Sequence, residues 1–229
     1  GRIRYVHLGT PCTDFSRARH FIKNHCRARD RERDGVELGL FTAEIIETCN
    51  RYNVFWSLEN PRNSRLFDLP FLHRLLHQED VFRVNMDFCM YGEAYRKPTS
   101  IFTNIPTMSQ LAVGCIHQKH SVVLRGSESV RCNGQKKSQP KTQRAGAYPL
   151  KLVEKWTEVV GEFLDPHTRD SDILGAQLEH ELRVVCQTAR TRSGSISPSS
   201  SLRSLFQQFS KVQPEGLEAI IFGQHTNEE

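Results

Sequence analysis

A thiol at the end of a predicted strand is the first side chain in this sequence with an evident chemical use. The apolar run 4–9 predicts a short buried strand, which Gly9, Thr10 and Pro11 end directly before Cys12. Open α/β sheets bind ligands at the carboxyl ends of their strands, so Cys12 is expected at such an edge. An ionised thiol is a strong nucleophile, and Cys12 is therefore the residue around which a site is predicted.

A carboxylate, Glu59, is the first expected partner of this thiol. Residues 36–52 predict a helix whose apolar stripe consists of Leu38, Phe41, Ile45 and Cys49. The β-rich run 54–58 follows and is halted by Glu59-Asn60-Pro61. Strand, helix and strand form a βαβ unit with parallel strands. Since parallel strands end at the same edge, Glu59 is predicted on the same side as Cys12.

The remaining patterns extend this unit into an α/β fold with a partial Rossmann-like sheet. A second crossover helix with a break at Pro70 is predicted in 62–80, and a third strand at 81–88. Residues 100–104 predict an antiparallel hairpin partner at the sheet edge. Residues 107–145 are predicted as loop and 147–164 as an amphipathic helix. Residues 1–164 then form one domain, and 165–229 a helical, then low-complexity and partly disordered tail.

Composition narrows the class of protein. The net charge is +5 and the pI is near 8.9, which is compatible with a polyanionic partner. Seven cysteines without framework spacing predict reduced thiols in an intracellular compartment, nuclear or cytoplasmic. No charged-then-apolar leader and no apolar run near about 20 residues is present, so neither secretion nor a membrane partner is expected. The initial Gly, directly before a buried strand, predicts a fragment of a longer protein.

Two further groups of residues could bind ligands. Residues 17–34 hold seven Arg or Lys, and two interpretations are open. The segment is either a solvated loop or short helix, or it is a mobile lid that binds phosphates. The lid would use Arg17, Arg19, Lys23, Arg27 and Arg29. Cys115, His117 and His120 could hold zinc with Cys89 or Cys132 as the fourth ligand. Their spacing matches no usual zinc pattern, and the alternative is a polar loop with a lone cysteine.

The order of several motifs resembles cytosine-5 DNA methyltransferases, in the form carried by mobile elements and phage-like genes. Pro11-Cys12-Thr13-Asp14-Phe15-Ser16 is similar to the family's Pro-Cys-x-x-Phe-Ser segment, and Glu59-Asn60-Pro61 to its Glu-Asn-Val segment. Tyr91-Gly92 with Arg96-Lys97-Pro98-Thr99, and Ala145-Gly146-Ala147-Tyr148-Pro149, are looser matches. The resemblance covers roughly residues 4–164.

This resemblance implies a reaction and a set of roles. The Cys12 thiolate would add to ring carbon 6 of a flipped cytosine while Glu59 donates a proton to ring nitrogen 3. Arg96 would lie near the base or the thiol, and Lys97 would join the basic residues of 17–34 in holding DNA. Pro11, Asn60 and Tyr148 would contact the cofactor, S-adenosylmethionine.

The part of the family that binds this cofactor lies ahead of the Pro-Cys strand, and we expect it to come from an upstream segment or a separate chain. The 229-residue chain alone is expected to bind S-adenosylmethionine weakly or not at all. Two other functions stay open: a non-catalytic nucleic-acid-binding module from a mobile element, and a cysteine-nucleophile enzyme of another kind. The latter is disfavoured because no histidine follows in a comparable corner.

Overall fold

The structure is a computed structural model that describes residues 3–12, 15, 25–132, 135–164 and 219–222. Its strands are β1 Tyr5–Leu8, β2 Phe55–Pro61, β3 Phe82–Asp87, β4 Pro98–Thr103, β5 Ser127–Cys132, β6 Gln135–Pro140 and β7 Ala219–Phe222. Its α-helices are α1 His25–Arg51, α2 Pro70–Leu76 and α3 Leu150–Leu164. Short 3₁₀ turns occupy Arg65–Asp68, Phe88–Tyr91, Pro106–Leu111 and Lys141–Gly146.

Five strands form one mixed sheet in the order β3-β4-β2-β1-β7. β1 is parallel to β2, with Tyr5 opposite Phe55 and Leu8 opposite Leu58, as the βαβ prediction requires. β4 lies between β2 and β3 and is antiparallel to both. The α/β class is thus confirmed, but the antiparallel strand is interior and not at the edge as predicted. β4 carries no charged residue and is buried almost throughout, whereas β3 at the edge alternates exposed and buried residues.

β2 continues further than predicted. Glu59 and Asn60 pair with Ile101 and Ser100 of β4, so they lie within the strand and not in a corner after it. Pro61 is the last residue of the strand, a position that tolerates its missing N–H. β1 ends opposite Leu58, and the segment leading to Cys12 therefore passes the last residues of β2.

Helix α1 begins at His25, eleven residues before the predicted start at 36. The Arg- and Glu-rich residues that were predicted as a loop, short helix or lid continue this helix from 25 onward. Arg, Ala and Glu have high helix propensity, so a dense run of charge here indicates a long helix. Pro70, predicted to break the second crossover helix, is instead the first residue of α2, where its missing N–H has no cost.

The core has two parts, one on each face of the sheet. Val6 and Leu8 point to the face covered by α1 and α2, where the predicted stripe of α1 is buried as expected. Tyr5 belongs to the opposite core, which α3 and the turn Pro106–Leu111 cover. The buried face of α3 consists of Leu152, Trp156, Val159, Val160 and Leu164, and Phe163 is half-buried.

Two elements were not predicted. Residues 107–145 contain the β5–β6 hairpin, and the run 219–222 forms β7, which pairs in parallel with β1. The helix predicted near 171–189 and the low-complexity linker lie outside the described residues. Within the described part of the chain, no helix has both the length and the apolar character needed to cross a membrane.

Candidate functional site

The corner that carries Cys12 is held by hydrogen bonds from neighbouring elements. Asn60 is fully buried on β2, and its Nδ2 donates to the Thr10 carbonyl over 2.6 Å. The Thr10 hydroxyl lies 2.8 Å from the hydroxyl of Thr42 on α1. The amide of Phe15, a core residue, donates to the Cys12 carbonyl over 3.1 Å and closes a turn. These bonds fix the backbone around a half-buried thiol.

Glu59 is a buried carboxylate whose two oxygens have different surroundings. The hydroxyl of Tyr148 donates to Oε2 over 3.1 Å. Oε1 is buried and accepts no hydrogen bond from the described residues, and the Lys97 ammonium lies 3.5 Å from it. Lys97 is itself largely buried and stands over the Phe88 ring, 4.5 Å from its centroid. Among the described residues, Oε1 is thus held by an ion pair with Lys97 and not by a hydrogen bond.

Tyr148 connects the carboxylate with the thiol. Its pKa is raised well above the ordinary value, first by burial, then by the charge of Glu59 and the hydrogen bond to it, and further by Tyr5 and Cys12. Glu59 and Cys12 thus both contribute to raising the pKa of the Tyr148 hydroxyl, Glu59 more than Cys12. The structure brings these two predicted residues together beside a third, which the sequence had assigned to the cofactor.

A buried hydrogen-bond chain reaches Glu59 from the interior of the α3 side. The indole Nε1 of Trp156 donates to the Tyr5 hydroxyl over 2.9 Å, and Tyr5 contacts the hydroxyl of Ser57. The Ser57 hydroxyl lies 2.8 Å from Nδ1 of His7. His7 Nε2 lies 3.0 Å from the Tyr148 hydroxyl. The chain runs through Trp156, Tyr5, Ser57, His7, Tyr148 and Glu59.

The hydrogens of this chain have one consistent direction. Trp156 can only donate, so Tyr5 uses its own hydrogen toward Ser57, and Ser57 donates to His7 Nδ1. Burial lowers the pKa of His7 to about 3, which keeps the imidazole neutral. Its single hydrogen is then on Nε2 and goes to Tyr148, whose hydroxyl donates to Glu59. Oε2 of Glu59 is thus the final acceptor of the chain.

Replacing Tyr148 with phenylalanine is expected to destabilise the fold by about 1–3 kcal/mol, because it leaves the buried His7 Nε2–H without an acceptor. Urea unfolding at neutral pH measures this loss. Tyr91→Phe is the matched control, since it removes a buried hydroxyl that donates to the Leu111 carbonyl over 2.7 Å, away from Glu59. Equal stability of Tyr148→Phe and the unmodified protein would contradict the directed chain.

Arg96 and Lys97 are neighbours in the sequence but pair with different carboxylates. Arg96 is half-exposed and pairs with Asp87, 3.0 Å from Nε to Oδ1. Burial acts to raise the pKa of Asp87, but hydrogen bonds from Arg96 and the Cys115 amide, with the charges of Arg62 and Arg96, outweigh it and lower the pKa. The cation next to Glu59 is Lys97, which had been assigned to DNA. The role of Arg96 at the base stays a prediction.

The predicted DNA-binding residues of the N-terminal part cannot be placed at the site. Arg17, Arg19 and Lys23 lie outside the described residues, and only the backbone is described for Arg27 and Arg29, in the first turns of α1. A basic groove directly after β2 was not predicted: Arg62, Arg65 and Arg83 line a cavity of about 650 Å³ with Phe102 and two histidines. The sequence Pro-Arg-Asn-Ser-Arg after Glu59-Asn60 is the signal that could have indicated it.

The residues assigned to S-adenosylmethionine do not fit a pocket for it. Pro11 is half-buried in the corner. Asn60 Oδ1 is a buried acceptor without a hydrogen bond in the described part, but the side chain has no exposed surface that a ligand could touch. The Tyr148 hydroxyl is committed to His7 and Glu59.

The predicted metal ligands lie on the far side of Asp87. Cys115, His117 and His120 come together with Cys89, the alternative fourth ligand. Cys132 ends β5, and its side chain is outside the described set, so its assignment stays a prediction.

No family model, curated protein or solved structure matches this chain. Its function is therefore argued from the geometry of these two sites.

Proposed function

We propose that this protein activates cytosine in DNA by covalent addition, as cytosine-5 methyltransferases do, with Cys12 as nucleophile and Glu59 as acid. The observation that carries the proposal is Glu59 Oε1, a buried carboxyl oxygen without a hydrogen bond, next to the corner that presents a half-buried thiol. Structural carboxylates are normally satisfied when buried. A buried carboxyl group near a cysteine, with one oxygen that has only an ion pair, is the kind of titratable arrangement found at functional sites.

The addition step moves one electron pair and one proton. The Cys12 thiolate forms a bond to ring carbon 6, and the π bond between carbons 5 and 6 breaks. The electron pair shifts through the ring toward nitrogen 3, which takes the proton of Glu59. Carbon 5 becomes nucleophilic in the resulting adduct. Without the proton, the charge would remain on a ring that is a poor electrophile.

The hydrogen-bond chain and Lys97 support this step from opposite sides. Tyr148 donates to Oε2, which leaves Oε1 as the oxygen from which Glu59 would donate to the ring nitrogen. Once the proton has left, the carboxylate is stabilised by the Lys97 ammonium 3.5 Å from Oε1 and by the hydrogen bond from Tyr148.

The basic groove gives the proposal a place for the DNA backbone. It adjoins the Cys12 corner, because the amide of Arg65 donates to the Phe15 carbonyl over 3.3 Å. Phosphates would be held there while the base is flipped toward Cys12. S-adenosylmethionine would supply a methyl group to carbon 5 when bound. The described residues activate the cytosine ring. The part of the protein that binds S-adenosylmethionine would come from another segment or a separate chain.

Exchange of the cytosine C5 hydrogen tests the proposal without any methyl donor. The full chain is incubated with duplexes that carry a C5 tritium label and that cover all sequence contexts around cytosine. In the adduct, carbon 5 takes a proton from solvent, and elimination of Cys12 can then release the label to water. We expect protein-dependent release. Binding without release would instead favour the non-catalytic nucleic-acid-binding module from a mobile element, and absence of both would overturn the two candidates.

A further inference from the structure

Four metal-ligating side chains converge on the other side of Asp87 from Glu59. The ligand atoms of Cys89, Cys115, His117 and His120 all lie within 4.8 Å of one another. Cys115 Sγ is 3.3 Å from His120 Nε2 and 3.6 Å from His117 Nδ1. Two sulfurs and two imidazole nitrogens are the most common mixed ligand set of structural zinc.

The spacing matches a tetrahedral zinc ion. Bonds of about 2.3 Å to sulfur and about 2.0–2.1 Å to nitrogen place the corners of such a tetrahedron about 3.3–3.8 Å apart. The sulfur–nitrogen edge is about 3.5–3.6 Å, which the distance to His117 matches, and the distance to His120 is slightly shorter. All four ligand atoms lie within 4.8 Å of one another, so small side-chain movements would complete the tetrahedron.

The backbone around the cluster is fixed independently of any metal. Val113 exchanges hydrogen bonds with the end of β3, since it accepts from the Asp87 amide over 3.0 Å and donates to the Asn85 carbonyl over 3.2 Å. The Asp87 carboxylate accepts the Cys115 amide over 2.9 Å. Val122 donates to the Ala94 carbonyl over 3.1 Å. One end of the segment 113–122 is thus bonded to β3 and the other to Ala94. The three ligands of the segment lie next to Cys89.

Apolar packing holds this segment only near its ends, where Val113 and Val122 contact the core. Between them Ile116 is 80% exposed, although it is a large hydrophobic residue. The whole connection from the turn Pro106–Leu111 to β5 spans 112–126, and loops of about this length without regular structure are uncommon in compact domains unless they are functional or tied down. A bound metal is the usual replacement for a missing core in such a segment.

We propose that Cys89, Cys115, His117 and His120 bind one zinc ion. Four protein ligands leave no open coordination position, so the ion is structural and takes no part in the cytosine chemistry. It joins the turn Phe88–Tyr91 to the segment 113–122 and so braces the base of the segment that carries Lys97. The site is independent of the proposed function and is tested separately.

Metal analysis of the full chain tests the site. Protein purified without chelator is expected to hold one zinc per chain by mass spectrometry, and cobalt(II) exchanged into it should show the strong visible bands of a tetrahedral site with thiolate ligands. Cys115→Ser and His120→Ala should each remove the stoichiometric metal. Cys12→Ala and the exposed His73→Gln are matched controls that should retain it, since they remove the same ligand types elsewhere.

The fourth ligand is decided by two further variants. We expect Cys89→Ser to lose the zinc and Cys132→Ser to keep it, and circular dichroism reports whether each variant is folded. Because buried Cys89 is the residue most at risk of misfolding on substitution, X-ray absorption of the Cys132→Ser protein gives a second measure. Two sulfurs and two nitrogens per zinc are expected there, and one sulfur would identify Cys132 as the ligand. Zinc in the Cys115→Ser protein, a metal-free unmodified protein, or loss on Cys132→Ser alone would overturn the assignment.

Discussion

Replacing Cys12 with alanine is expected to reduce the release of the C5 label to the rate without protein. Cys12 is the one thiol among the described residues of the corner held by Asn60 and Thr42, so the covalent adduct is expected not to form without it. Glu59→Gln should lower the release by about a hundred- to ten-thousand-fold, the usual contribution of a positioned acid. The glutamine can still accept from Tyr148, but it has no proton to give from the position of Oε1.

Two comparisons make this result specific. Both variants should bind the duplex as the unmodified protein does, measured by fluorescence anisotropy, because neither removes an arginine of the basic groove. Cys186→Ser, in the segment outside the described residues, serves as the thiol control and should retain full release. Undiminished label release by Cys12→Ala would rule out this cysteine as the nucleophile, whatever the behaviour of Glu59→Gln.

Acidification is expected to destabilise the fold through His7. Burial lowers the pKa of this histidine from 6.5 to about 3, so below pH 6.5 the unfolded chain binds a proton that the folded protein excludes. Stability is therefore unaffected by this group above pH 6.5 and falls by about 1.4 kcal/mol per pH unit below it. Over the window of 6.5 − 3 = 3.5 pH units, the loss reaches about 5 kcal/mol. This is comparable to the whole stability of a small domain.

Urea unfolding across this window measures the slope. His7→Gln, which cannot titrate, should be less stable at neutral pH but should lose the part of the slope that corresponds to one proton. His77→Gln, on the exposed end of α2, should keep the slope of the unmodified protein. The side chains in contact with His7 are Ser57, Tyr148 and Trp156, and none of them carries a charge at these pH values that could replace the effect. Identical slopes for His7→Gln and the unmodified protein would refute this origin.

The parts of the fold that follow from periodicity could be predicted from the sequence. The stripes of α1 and α3 are buried as expected, and parallel pairing of β1 and β2 placed Cys12 and Glu59 near one another. The position of β4 could not be predicted in this way, because a strand inserts between β2 and β3 only through pairings distant in the sequence. The start of α1 at His25 was not predicted, because the charged residues before 36 have no apolar stripe, although Arg, Ala and Glu favour helix.

The hydrogen-bond chain illustrates a second limit. His7 lies inside the predicted first strand, and nothing in the sequence connects it, Ser57 or Trp156 with Glu59. Their contacts depend on the register that sets His7 opposite Ser57 and on the packing of α3 against the sheet. Likewise, the choice between Cys89 and Cys132 depends on how segment 113–122 returns to the end of β3.

The pairing of β7 with β1 has a consequence for how much of the chain the fold requires. Tyr5–Leu8 are buried on both faces, and β7 satisfies the row of backbone groups that β2 leaves open. If the chain ended at 164, this row would face solvent on a flat apolar strand, which is the kind of surface that recruits strands from other molecules. Residues 219–222 thus make β1, the strand that leads to Cys12, an interior strand and take the edge position themselves.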